Sequence, residues 1–234
     1  MTAAGSTWFD TLNPSHRVQQ RNLHHLKAST SVMHRRIYLQ IPPAASAGTE
    51  AALAAALDRY PVACTLLTCE EDTSFDAEWA NRIRSLCHAK DVAFLAEIEP
   101  ERAAAVEADG VHIVPDARIY RHARQTLGEN AIIGTHCESR HDAMVLAELG
   151  ADYVAFTTRM QSMTRTDESV QDLIGWWSQT FEVPCVAWNV GNAEEAVQAI
   201  EAGADFLAIT KKCLESPEGA ALLTDTAAAL ENAS

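Results

Sequence analysis

The sequence predicts an α/β protein, a (β/α)8 TIM barrel with an N-terminal basic extension, on three observations. Short apolar β-type runs alternate with longer helical stretches from Ile37 onward, eight such runs can be counted, and one acid-then-apolar plan recurs at the start of the fourth, sixth and eighth. Eight βα units in a chain of 234 residues fit one closed barrel better than two small domains. The expected organisation is a basic, partly helical arm over 1–36 and the barrel over 37–234.

The arm holds Asn13-Pro14-Ser15, a helix start, followed by Val18, Leu23 and Leu26 among His, Gln and Arg. It reads either as an extra helix covering the barrel's N-terminal end or, being poor in acids, as a cleaved transit peptide. The first strand, 37–41, leads into Gln40-Ile41-Pro42-Pro43 rather than a Gly-rich phosphate turn, which sets aside an open doubly wound sheet. Further strands are expected at 63–68, 93–97, 110–113, 131–135, 153–156, 185–188 and 206–209. Helix-like stretches with apolar residues three and four apart include 50–60, 76–90, 140–149, 193–202 and 217–230. The recurring plan is Ala108-Asp109-Gly110-Val111, Gly150-Ala151-Asp152-Tyr153 and Gly203-Ala204-Asp205-Phe206. In the last two, the glycine suits a left-handed residue that stops a helix.

Charge narrows the function classes. Eighteen basic residues against 32 acidic give a net charge of -14. Five basic residues and one acid up to Arg36 make the arm +4 and the body -18. An acidic body repels polyphosphate backbones and argues against nucleic-acid binding. No run reaches the roughly 18 apolar residues of a membrane span and the start lacks a secretory pattern, so a cytoplasmic protein without membrane partners is expected. The six cysteines show no metal-binding spacing and read as reduced thiols.

Barrel enzymes place their chemistry on the loops after the strands. Glu97, His112, Asp116, His136 and Glu138, from the ends of strands 3 to 5, have the residue types for acid-base work or for a divalent metal, but lack local metal spacing. His136 and Glu138 are the candidates for proton transfer, with a hydrogen-bonded structural histidine as the other reading. No metal site is assigned; a rebuilt acidic one would use Glu97, Asp116 and Glu138. The segment 157–169, rich in hydroxyls with Arg159 and Arg165, reads equally as an anion-closing lid or a solvated loop. Asn189-Val190-Gly191-Asn192 and Thr210-Lys211-Lys212 stand where such barrels hold phosphate, although the lysines also suit plain solvation.

The motifs Ala108-Asp109-Gly110-Val111-His112-Ile113, Ile132-Ile133-Gly134, Glu148-Leu149-Gly150-Ala151-Asp152-Tyr153-Val154-Ala155-Phe156 and Ala202-Gly203-Ala204-Asp205-Phe206-Leu207-Ala208 resemble the thiamine phosphate synthase and thiazole tautomerase family. The resemblance covers the barrel and excludes the arm. It implies a magnesium-dependent joining of a pyrimidine diphosphate to a thiazole phosphate, yet most of the positions that carry this are changed. The family's Gln-Leu-Arg-x-Lys after strand 2 falls on Thr65-Leu66-Leu67-Thr68-Cys69, and its Asn-Asp after strand 3 on Glu97-Ile98. Its second metal-binding aspartate falls on Ala117, beside Asp116. A serine after strand 5 becomes His136, and the tautomerase histidine becomes Glu138. Ser162-Met163-Thr164-Arg165 keeps the hydroxyls and charge of Thr-x-Thr-Lys, while Gly-Gly becomes Asn189-Val190, with Gly191 just beyond.

The expected function is accordingly a barrel that binds a phosphorylated small molecule through Ser162, Thr164, Arg165, Asn189, Gly191, Thr210 and Lys211. Metal-independent isomerase or tautomerase chemistry at His136 or Glu138 is expected ahead of full synthase activity. The other readings are a non-catalytic sensing or partner-binding barrel, whose arm docks on an acidic protein or a second copy, and a transferase with Mg2+ in the rebuilt acidic site.

Overall fold

The computed structural model describes residues 36–44, 48–69, 75–157 and 169–233. Apart from Arg36, the basic arm lies outside the described residues, as do Ser162, Thr164 and Arg165 of the expected lid.

Eight parallel strands close into a barrel in sequence order: β1 Arg36–Ile41, β2 Val62–Leu67, β3 Ala93–Ala96, β4 Gly110–Ile113, β5 Ile132–His136, β6 Tyr153–Thr157, β7 Cys185–Val190 and β8 Phe206–Ile209. The barrel is closed by β1 pairing with β8, Ile37 opposite Leu207. Helices follow the strands: α1 Thr49–Arg59, α2 Ala77–His88, α3 Pro100–Ala105, α4 Ala117–Leu127, α5 Arg140–Glu148, α6 Val170–Thr180, α7 Ala193–Ala202 and α8 Pro217–Asn232, with a 3-10 turn Lys211–Leu214 before α8. Their starts are written in the sequence. Asp76, Asp116, Ser139, Ser169, Asn192 and Ser216 each accept a first-turn backbone N–H. Ser169 and Asp172 form a reciprocal capping box.

Alternation along the strands sorts the core into two shells. Tyr38, Leu66, Leu95, Ile132, Tyr153 and Trp188 belong to the cluster that fills the barrel. Their opposite-facing neighbours, among them Leu39, Leu67, Phe94, Ile133, Val154 and Ala187, pack under the helices with Trp79, Trp177 and Leu223. Cys137 joins this outer shell while His136 turns to the mouth, which settles the parity at the end of β5.

The recurring plan has a physical reason. Asp109, Asp152 and Asp205 precede the even strands, and each carboxylate accepts a backbone N–H of the strand before: Phe94 N at 2.8 Å, Ile133 N at 2.9 Å and Cys185 N at 2.7 Å. The backbone N–H of each aspartate returns a bond to the carbonyl of that same residue. This clamp satisfies a strand-entry donor that water cannot reach, and each such charged bond contributes about 1.5–3 kcal/mol. Two clamps are backed by cationic or imidazole groups, Arg124 to Asp152 at 2.8 Å and His88 to Asp109 at 2.8 Å. Gly150 and Gly203 take φ of 100° and 99°, as a helix stop requires, and in the remaining copy Glu107 holds a φ of 52°.

Candidate active site at the barrel mouth

Inward-facing side chains at the C-terminal ends of the strands build the floor of the mouth. Trp188 on β7 is 8% exposed and stacks flat on His112 of β4, with ring centres 4.3 Å apart and an 8° interplanar angle. Tyr38 meets the same indole edge-on at 5.4 Å, and His136 does so at 6.2 Å. Below them Tyr153 Oη lies 2.9 Å from His112 Nδ1 and 2.7 Å from Tyr38 Oη. Gly134 makes room for this arrangement, because a Cβ there would lie 1.8 Å from Tyr153 Cζ. The floor is thus a stack of aromatic rings packed against one another, an apolar lining with imidazole edges set into it.

His136 is the last residue of β5 and half-buried. Burial lowers its pKa below the ordinary histidine range, and the negative charge of Glu138 works weakly against that. Glu138 stands two residues beyond the strand end and is exposed, so the pair does not share a strand face. His112 is 4% exposed, and burial, helped by the neighbouring His136, holds its imidazole down to about 3. It is neutral at any physiological pH.

Glu97 follows β3 and accepts the Cys69 backbone N–H at 3.2 Å, while burial raises its pKa. The end of β2, where the family places cations for a diphosphate, carries Thr68, bonded through Oγ1 to Ile41 O, and the exposed Cys69. Burial and the carboxylates of Glu97 and Glu99 raise the Cys69 thiol pKa. Among the described residues, Glu97 and Glu99 face this thiol, with Arg102 working against them.

Two of the candidate groups are engaged elsewhere in this structure. The acidic trio does not gather into a metal site: Asp116 caps α4, accepting Arg118 N at 2.7 Å and Ile119 N at 3.2 Å, and these bonds hold its pKa low. Glu138 is exposed on the loop between β5 and α5, and no group of three metal-binding side chains forms among the described residues. Gly191, expected to offer its amide to phosphate, donates instead to Glu195 Oε2 at 2.7 Å. The positive end of α7 draws this carboxylate back, and Asn192 Nδ2 holds its other oxygen at 2.9 Å.

The remaining positions stand around the mouth. Asn189 occupies the left-handed region at φ 58°, the conformation that a glycine would supply, and its Oδ1 accepts Gln40 Nε2 at 3.1 Å. The register of β7 against β8 shifts at this point. Thr210 precedes the 3-10 turn without capping it through its side chain, and Lys211 opens that turn half-buried. Tyr38 and Tyr153 were absent from the sequence-based list. The available signal is a tyrosine within a mainly apolar strand, whose hydroxyl must find a partner inside the barrel.

A closed (β/α)8 barrel with polar groups converging at its strand C-termini defines a barrel of the enzyme-bearing class. A profile described as thiamine monophosphate synthase matches residues 37–213, and the chain belongs to that family. It is 40% identical over 191 residues to a thiamine-phosphate synthase of Rhodospirillum centenum, covering 80% of this chain and 92% of the relative. It is also 40% identical over 151 residues to one of Erythrobacter litoralis, covering 62% of this chain and 71% of that relative. In fold it is similar to a thiamine phosphate pyrophosphorylase from Pyrococcus furiosus, with a TM-score of 0.71 at 18% identity over 86% of this chain and 98% of the other. Among the described residues no helix is long and apolar enough to cross a membrane.

Proposed function

We propose that the barrel mouth binds a phosphorylated planar heterocycle, a thiazole phosphate being the leading candidate, and that His136 moves a proton on the bound ring without a metal. The observation that carries this reading is the aromatic floor around Trp188 and His112, with the half-buried imidazole of His136 at its edge and its pKa lowered by burial. Burial favours the neutral imidazole, the form that can accept a proton. Glu138, near enough to oppose the burial effect on His136, supports the imidazolium once it forms. Asn189, Thr210 and Lys211, with Ser162, Thr164 and Arg165 of the segment 157–169, are assigned to the phosphate. Gly191 is not assigned, because its amide is taken.

The loss of cations after β2 favours proton transfer over diphosphate displacement. Several charge-assisted bonds of about 1.5–3 kcal/mol each would be missing from a diphosphate subsite. The coupling reaction is kept as a second reading because the relatives at 40% identity are named for it.

The test follows solvent deuterium into thiazole phosphate in the absence of magnesium, by proton NMR. Wild-type protein is expected to catalyse exchange and His136→Gln to lose it by about a hundredfold or more. Exchange that survives the substitution removes His136 from the role. Magnesium-dependent formation of thiamine phosphate at a robust rate would favour the second reading.

A further inference from the structure

We propose that Tyr38 and Tyr153 are positioning residues that lock His112 in the tautomer protonated at Nε2. His112 would then present a fixed hydrogen-bond donor to the mouth and select ligands with an acceptor atom on the ring. Three groups buried in the barrel, Tyr38, Tyr153 and His112, form one hydrogen-bonded chain.

Tyr38 is 1% exposed, and its hydroxyl has one neighbour, Tyr153 Oη at 2.7 Å. A buried hydroxyl proton left without an acceptor costs the full desolvation of the donor, so Tyr38 donates to Tyr153. Tyr153 is likewise 1% exposed and has one further partner, His112 Nδ1 at 2.9 Å. Having accepted from Tyr38, it donates to that nitrogen. His112 Nδ1 is therefore the acceptor and Nε2 carries the hydrogen.

The reverse polarity would strand the Tyr38 proton in the apolar interior. Nε2 has no hydrogen-bond partner among the described residues and does not count among the enclosed orphan atoms, so it opens onto free space. One face of the imidazole is already covered by Trp188, which leaves the nitrogen edge for the ligand.

The ligand half of this inference rests on the reading of the mouth as a heterocycle site; the relay does not. Histidine 15N NMR on the full chain, with His112 assigned by its loss in His112→Gln, decides the relay without a ligand. The expected spectrum shows His112 protonated at Nε2, retained in Tyr38→Phe, where Tyr153 still donates, and lost or mixed in Tyr153→Phe. A proton on Nδ1 of the wild-type protein overturns the relay, as does an unchanged tautomer in Tyr153→Phe.

The second arm compares thiazole phosphate with the thiophene analogue, in which a C–H replaces the ring nitrogen. The thiophene is expected to bind about tenfold or more weakly to wild type, because Nε2–H is left unpaired, and this gap is expected to shrink in Tyr153→Phe. Equal binding of the two probes overturns the ligand half. If neither binds, the heterocycle reading falls and takes the ligand half with it, while the tautomer still decides the relay.

Discussion

Replacing Gly134 by alanine probes the centre of the site without touching a polar atom. The added Cβ would meet Tyr153 Cζ at 1.8 Å and both Cε atoms at 2.1 and 2.3 Å, against an ordinary contact of at least 3.4 Å. The ring must therefore retreat by about 1.6 Å within a packed interior, which costs about 1–3 kcal/mol. That retreat also breaks the 2.7 and 2.9 Å bonds to Tyr38 and His112, at about 1 kcal/mol each. The expected loss is about 3–5 kcal/mol in urea denaturation, with a Tm lowered by at least about 6 °C. In a Tyr153→Leu background the ring is gone, and Gly134→Ala should then cost less than about 1 kcal/mol. Equal losses in both backgrounds would refute the contact, and with it the position of Tyr153 that the relay needs.

Further outcomes follow from the same geometry. Arg124→Ala should destabilise by about 3–5 kcal/mol in chemical denaturation, since it leaves the Asp152 clamp as a buried carboxylate without its guanidinium. The folded-state pKa of His112 is depressed to about 3, so its contribution to stability is full above the unfolded value near 6.5 and is lost as pH falls from there towards about 3. This one group adds a slope of up to about 1.4 kcal/mol per pH unit in that window, and His112→Gln should flatten a plot of unfolding free energy against pH. Of the six thiols, Cys69 is exposed and the other five are buried. A disulfide reagent should titrate one thiol in the native protein and six in denaturant, with the native reaction speeding up as pH rises because the Cys69 pKa is raised.

The barrel was legible in the sequence because its determinants are local. Apolar runs of strand length, caps such as Asp76 and Asn192, and the Ala-Asp repeat each act within a few residues or between adjacent strands. Asp116 was equally local: an aspartate directly before a helical stretch is a cap first, and the capping bonds leave it unsuited to metal binding. Glu195 could also have been read, since an acid in the first turn of a helix is drawn to the exposed amides there. The relay could not, because Tyr38 and Tyr153 are 115 residues apart and His112 is 41 from Tyr153. Only barrel closure brings those strands to one level, and a period-two pattern gives direction without giving a partner across the interior.

The central claim, a mouth that takes a phosphorylated planar heterocycle without magnesium, is tested most directly by thermal unfolding with millimolar thiazole phosphate, against inorganic phosphate alone. Ligand at about a hundred times its dissociation constant adds roughly 2.7 kcal/mol, which is a rise of about 5–10 °C for a chain of this size. The account predicts that rise with thiazole phosphate and none with phosphate. A cooperative transition unmoved by thiazole phosphate, or moved equally by phosphate, would contradict it.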